Sequence, residues 1–114
     1  MNQKEIEEYL QGFDGVWSEL PFGEGTTVYK VGHDEKNNGK MFALIINDSK
    51  PVILSLRCDP MLAIKLRETY ETVMPAKNLN NKIWNTILCT GQVGDDDLKG
   101  LIIHSYNLAK EFQK

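Results

Sequence analysis

Met41 to Ile46 is a run of six apolar residues bounded on both sides by polar, turn-forming sequence. It has the length of a strand and is too short for a buried helix. Its lack of polar alternation predicts a central strand covered on both faces. Such a strand needs hydrogen-bonded neighbours, and the flanking sequence offers two. Thr26 to Val31 is rich in β-branched and aromatic residues, which favours a strand. Val52, Leu54 and Leu56 alternate with Ile53, Ser55 and Arg57, giving one apolar face and one that becomes polar toward its end. Short connections make these three an antiparallel meander. His33 to Gly39 ends in Asn38-Gly39, which suits a type I′ hairpin turn, although the loop is long enough for other geometries. Asn47-Asp48-Ser49-Lys50-Pro51 is the second turn cluster. Pro21-Phe22-Gly23-Glu24-Gly25 is a turn-rich entry to the sheet, and no strand is assigned before Thr26.

Outside this block the apolar period changes from two residues to between three and four. Ile6, Tyr9, Leu10 and Phe13 form one helical stripe, with Asn2 as N-cap and Gly12 or Gly15 as stop, placing a helix at about 3–12. Asp59-Pro60 starts a second helix, at about 60–70. Asp caps free N–H groups there, and Pro is pre-set for the first helical position. Val73 to Asn81 is irregular, with room for a short strand, and Ile83 to Thr90 reads as a strand. Leu98, Leu101, Ile102, Ser105, Leu108, Ala109 and Phe112 share one face of a third helix, at about 96–112. Asp95-Asp96-Asp97 at its start and Lys110 and Lys114 at its end suit the helix dipole. Helices and strands do not alternate strictly, so the pattern predicts one α+β domain over residues 1–114 with an antiparallel sheet in two layers, not a doubly wound parallel sheet.

The 114 residues suffice for one core. No apolar run approaches the roughly 20 residues of a membrane helix. The start of the chain is polar and lacks a signal-peptide pattern, so a cytoplasmic location is expected. Cys58 and Cys89 lack metal-ligand spacing and read as buried free thiols. Net charge is −3 but unevenly spread. Residues 1–29 hold one Lys against six acids, whereas residues 30–92 hold nine Lys or Arg against six. Either this is a mixed solvated surface or the middle of the chain forms a weak electropositive face.

Reactive chemistry finds little footing, and neither an enzyme nor a bound cofactor or metal is expected. Cys58 abuts Asp59, whose charge opposes a thiolate. His33 lies in a polar loop, and His104 borders the apolar face of the third helix. Three consecutive carboxylates at 95–97 splay around a helix, so capping explains them better than a metal does. Gly23-Glu24-Gly25 lacks the further Gly and Lys of a phosphate loop. The richest stretch is Lys77 to Thr86, which combines Lys77, Lys82, Asn78, Asn80, Asn81, Asn85 and Trp84. Lys suits phosphate, Asn suits phosphate or a base edge, and Trp stacks. An exposed Trp equally suits a protein contact. The plainer reading makes Trp84 a core residue, the Asn residues turn-formers and the Lys residues solvated. Arg57, Lys65 and Arg67 extend a basic patch if the second helix faces the same side, and Lys30 and Lys40 bracket the first hairpin.

Several of these segments, taken in order, resemble the MmcQ/YjbR family of small bacterial proteins over nearly the whole chain. They are Pro21-Phe22-Gly23, Val28-Tyr29-Lys30-Val31-Gly32, Gly39-Lys40-Met41-Phe42-Ala43-Leu44, Leu54-Ser55-Leu56-Arg57-Cys58-Asp59-Pro60, Leu66-Arg67-Glu68-Thr69-Tyr70, Asn80-Asn81-Lys82-Ile83-Trp84-Asn85-Thr86 and Leu101-Ile102-Ile103-His104-Ser105-Tyr106. The resemblance implies a two-layer α+β fold similar to secretion-chaperone-like folds, with a further likeness to double-wing DNA-binding domains. It brings no catalytic motif. Its first functional implication is binding of double-stranded DNA through β-hairpin wings, to which the residues of this chain add the Lys77–Asn85 segment; Lys30, Lys40, Arg57, Lys77, Asn80, Lys82, Trp84 and Asn85 are the candidate nucleic-acid or partner contacts. The acidic net charge runs against that role. The alternative is a protein-interaction module that uses an exposed sheet face or the Trp84 region on another chain or a second copy.

Overall fold

The computed structural model describes residues 1–32 and 39–111. The element order is α1 (Gln3–Gln11), β1 (Val16–Glu19), β2 (Thr26–Val31), β3 (Lys40–Ile46), β4 (Val52–Arg57), α2 (Pro60–Thr69), β5 (Val73–Pro75), β6 (Trp84–Cys89) and α3 (Asp95–Glu111). The strands form one antiparallel sheet in the order β1-β2-β3-β4-β6-β5. The predicted meander is β2-β3-β4. After β4 the chain passes through α2 to the far edge and returns as β6 between β4 and β5. His33 and the predicted contributions of Asn38, Phe112 and Lys114 lie outside the described residues. Gly39 is described and has φ 78; a Cβ there would run into the Gly32 carbonyl oxygen, so this hairpin base tolerates only glycine.

The helix starts are chemically determined. Asn2 accepts from the Glu5 N–H while Glu5 reaches back to the Asn2 N–H, a reciprocal capping box. Asp59 accepts from Met61 and Leu62, with Pro60 in the first turn. Asp59→Ala is expected to cost about 1 kcal/mol, read as a lower urea midpoint at unchanged slope.

β1 was not foreseen. It has four residues, too few for alternation to show, and it forms because Trp17 pairs with Lys30 and Val16 with Val31. Tertiary pairing decides this element, not local preference. The possible short strand in 73–81 is β5, closed off by Pro75.

The sheet is covered on one face. Tyr29, Phe42, Ile45, Leu54, Leu56 and Ile87 are at most 2% exposed and cluster with residues of α1 and α3. α1 is tied to β2 by the Tyr29 hydroxyl, which donates to Glu7 at 3.2 Å. α2 is tied to β6 by Asn85, whose Nδ2 donates to the Ala63 carbonyl at 3.2 Å. The third helix buries Leu98, Ile102, Ser105, Tyr106 and Ala109; Leu101 and Leu108 of its predicted face are half-buried.

One expectation about β3 is corrected. Its apolar run predicted burial on both faces, yet Leu44 and Ile46 are only half-buried. They alternate with Ala43 and Ile45, which are fully buried beneath the helices. The other layer that their hydrophobicity anticipates is missing among the described residues.

A bulge adjusts the sheet where α3 crosses it. Tyr29 pairs with Ala43 but Lys30 pairs with Met41, so Phe42 is the extra residue of β3. Pairing of β3 with β4 ends at Ala43 and Leu56. The backbone groups left over are taken up by side chains. The Ser105 hydroxyl donates to the Phe42 carbonyl at 2.5 Å and accepts from the Arg57 N–H at 2.9 Å. Arg57 Nε donates to the Met41 carbonyl at 3.2 Å.

Candidate functional site

The open face of the sheet is organised in cross-strand rows by the pairing register. One row runs Val28, Leu44, Ser55, Thr86 and Met74 across five strands. The next runs Thr26, Ile46, Ile53 and Leu88. Leu44, Ser55, Thr86 and Met74 of the first row and Thr26, Ile46 and Ile53 of the second floor a groove of about 600 Å³, whereas Val28 is buried at 1% exposure. Phe22 stands at one end, on the connection before β2, and Lys77, Asn78 and Leu79 rise at the other, after β5. Asn78 has φ 65, a left-handed turn that Asn tolerates. At the centre of the floor the hydroxyls of Ser55 and Thr86 bond each other at 2.8 Å. The floor therefore presents methyl and methylene surface with little unmet demand for polar partners. Five strands at ~4.8 Å spacing make the groove about 19 Å long.

A third row lies beyond the groove and holds the two indoles. Trp17 pairs with Lys30, and Arg57 pairs with Trp84. Each cation sits over its neighbour's ring, Lys30 at 5.3 Å and Arg57 at 5.0 Å from the centroid. Lys30 also forms a 2.7 Å ion pair with Glu19. Arg57 is half-buried, and desolvation lowers its guanidinium pKa from the ordinary value.

The predicted contact residues are thus divided. Trp84 is 3% exposed and Asn85 2%, so the plainer reading of Trp84 as core is correct and neither side chain is available to a partner in this conformation. Asn85 points beneath the sheet toward α2, where its Oδ1 accepts from Arg67 Nε at 2.6 Å. Arg67 also donates to the carbonyls of Trp84, at 3.3 Å, and Asn81. The imagined patch of Arg57, Lys65 and Arg67 does not form. Arg57 lies on the open face, Arg67 is pinned to the helix side, and only Lys65 is fully exposed. Lys40 is half-buried at the start of β3. Lys77, Asn80 and Lys82 are exposed on the connection between β5 and β6, where Asn80 Oδ1 accepts from the Lys82 N–H at 3.1 Å.

Sequence reasoning offered an exposed sheet face as an alternative partner surface but did not assign the residues of the groove to it. Leu44 and Ile46 fall in a run expected to be covered on both faces, Ile53 on the face of its strand that turns polar, and Phe22 in a turn. The available signal was that only three helices serve a sheet with apolar residues on both faces.

Among the described residues no three of His, Cys, Asp or Glu group as metal ligands, and no helix is long and apolar enough to cross a membrane. His104 Nε2 accepts from the Asp59 N–H at 3.1 Å, a structural contact at the start of α2. The two thiols are far apart. Cys89 faces Val52, and Cys58 follows Arg57 at the other end of β4, a separation of about 20 Å along the strand that excludes a disulfide. Burial, the leading cause for both, pushes their pKa values up to about 11. A raised pKa removes thiolate at neutral pH. Native protein is expected to resist a thiol-reactive dye near pH 7 and to react increasingly as pH approaches 11. Unfolded protein is expected to react at neutral pH, and prompt labelling of the native chain there would contradict this burial.

The fold thus defines a class: an antiparallel α+β protein whose helices cover one sheet face and leave the other as an apolar groove. The YjbR family model matches residues 11–108, and the chain belongs to that family. Among its relatives, the uncharacterised protein YbdF of Escherichia coli O157:H7 is 27% identical over 88 residues, covering 77% of this chain and 67% of YbdF. The uncharacterised protein YjbR of Escherichia coli K12 is 30% identical over 69 residues, covering 60% of this chain and 58% of YjbR. The crystal structure of Deinococcus radiodurans protein DR2400, with a DUF419 domain, superposes with a TM-score of 0.89 at 28% identity. That match covers 95% of this chain and 78% of DR2400. A Pseudomonas syringae protein gives a TM-score of 0.77 at 26% identity, covering 96% of this chain and 99% of the other.

Proposed function

We propose that this chain is a non-catalytic binding module whose working surface is the open face of the sheet. The observation that carries the reading is that β3 and β4 present Leu44, Ile46 and Ile53, half-buried, to a groove that no helix covers among the described residues. An uncovered apolar floor costs solubility and is typical of a surface that meets a partner. The sheet edges do not invite strand addition: β1 has four residues, and β5 has three and ends in Pro75. A partner therefore docks onto the face by its apolar side.

Duplex DNA is the weaker reading. Lys30, Arg57 and Arg67 are engaged with protein groups, and Trp84 and Asn85 are buried. Of the cations expected to meet DNA, Lys77 and Lys82 are the exposed ones among the described residues, few for a binding surface dominated by counterion release.

An environment-sensitive apolar fluorophore, titrated at low and high salt beside random duplex DNA, separates the two. Groove binding predicts emission that is insensitive to salt and is reduced by Phe22→Ser, a change at a side chain 74% exposed that leaves the fold intact. Retention of duplex that collapses with salt and with Lys82→Glu, without fluorophore binding, would reverse the order.

A further inference from the structure

Resting on the groove being a binding site, we infer that its occupant is a free acyl chain with a carboxylate end, held with the chain along the floor and the carboxylate at Lys77. Three observations point to this chemistry. The groove is small for a protein partner. Twelve residues line it, whereas a stable protein interface uses roughly 20–30 on each side. Its volume of about 600 Å³ instead lies within the range of small-ligand clefts, roughly 300–1,000 Å³.

The groove is also linear. It crosses five strands, about 19 Å at the usual spacing, and is bounded by Phe22 and by the 77–79 segment. Its central hydroxyls satisfy each other, so the floor rewards a featureless chain over a ligand studded with polar groups.

Finally, the lining carries one charge. Among the described residues that line the groove, Lys77 is the sole ionisable one, and it is exposed at the groove's end. No ion pair to it is found among the described residues. A single cation at one end of an apolar trough complements an amphiphile with a single terminal anion.

The test is titration calorimetry of the full chain with dodecanoate, dodecanol and dodecylammonium below their aggregation limits. The assignment predicts that dodecanoate binds best and dodecylammonium worst. Lys77→Gln should weaken dodecanoate about threefold to fivefold, the range of an exposed ion pair, and leave dodecanol unchanged. Phe22→Ser should weaken dodecanoate and dodecanol alike. Equal affinity for dodecanoate and dodecanol, with no effect of Lys77→Gln, would overturn the anionic assignment while leaving the groove as an apolar site. Absence of binding by all three amphiphiles would overturn the acyl assignment. If the fluorophore also fails to bind in a Phe22-dependent way, the groove reading falls with it. A dimer in sizing chromatography that Phe22→Ser splits and dodecanoate does not would place a second copy in the groove and overturn the acyl chain.

Discussion

Ser105→Ala is expected to destabilise the protein by about 2–4 kcal/mol, far more than the loss of one oxygen atom from a helix surface would suggest. Ser105 is fully buried. Its hydroxyl joins two backbone groups that the sheet cannot pair: the carbonyl of Phe42, displaced by the bulge in β3, and the N–H of Arg57, beyond the last pair of β3 with β4. Alanine fits the space and is the better helix former, so packing and propensity predict no penalty. The entire effect arises from leaving a buried donor and a buried acceptor without a partner, each costing about 1–3 kcal/mol. Asn107→Ala, exposed two residues further along the same helix, is the control and should be neutral or slightly stabilising. Urea denaturation of the two variants decides the matter. A loss below about 1 kcal/mol for Ser105→Ala would mean that the bulge can re-pair with the sheet on its own.

Arg67→Met should have a comparable effect, about 2–4 kcal/mol, with a consequence for the groove. Arg67 extends from the last turn of α2 to three acceptors: Asn85 Oδ1 at 2.6 Å, the Trp84 carbonyl at 3.3 Å and the Asn81 carbonyl. Asn85 in turn holds the Ala63 carbonyl of α2. This cluster fixes the connection between β5 and β6 to the helix layer, and the same connection carries Lys77, Asn78 and Leu79 up the groove wall. Methionine preserves much of the length and packing but strands the buried Asn85 amide. The amide protons of Ile83 and Ala76, bonded to Asn80 and Trp84 carbonyls, should then exchange faster with solvent. Pairing Arg67→Met with Asn85→Leu should cost less than the two single changes together, because the Asn85 Oδ1 that Arg67→Met leaves without its donor is itself removed. Strict additivity would show that the two residues act separately.

The contrast between these residues explains what the amino-acid sequence discloses. Asp59-Pro60 and the Leu98–Ala109 stripe announce their elements because capping and helical periodicity are local. The meander is equally legible, since its strands are adjacent in the chain. β1 is silent because four residues carry no period, and it forms through tertiary contacts, chiefly its pairing with β2. Trp84 and Arg57 look like a nucleic-acid contact in one dimension because stacking and cation chemistry depend on residue type. In three dimensions they are cross-strand neighbours that use that chemistry on each other. Leu44 and Ile46 are the instructive case. Hydrophobicity records that these side chains leave water, not what they leave it for, and a groove reads the same as a core until the layers are counted.

The central claim is that one face of the sheet is open, and accessibility of individual methyl groups to a soluble paramagnetic agent measures it most directly. Along β3 and β4 the signals should alternate. Methyls of Leu44, Ile46 and Ile53 should broaden, while those of Ile45, Leu54 and Leu56, beneath the helices, should not. Equal protection of both sets would mean that the groove is closed in solution, and the binding surface described above would not exist.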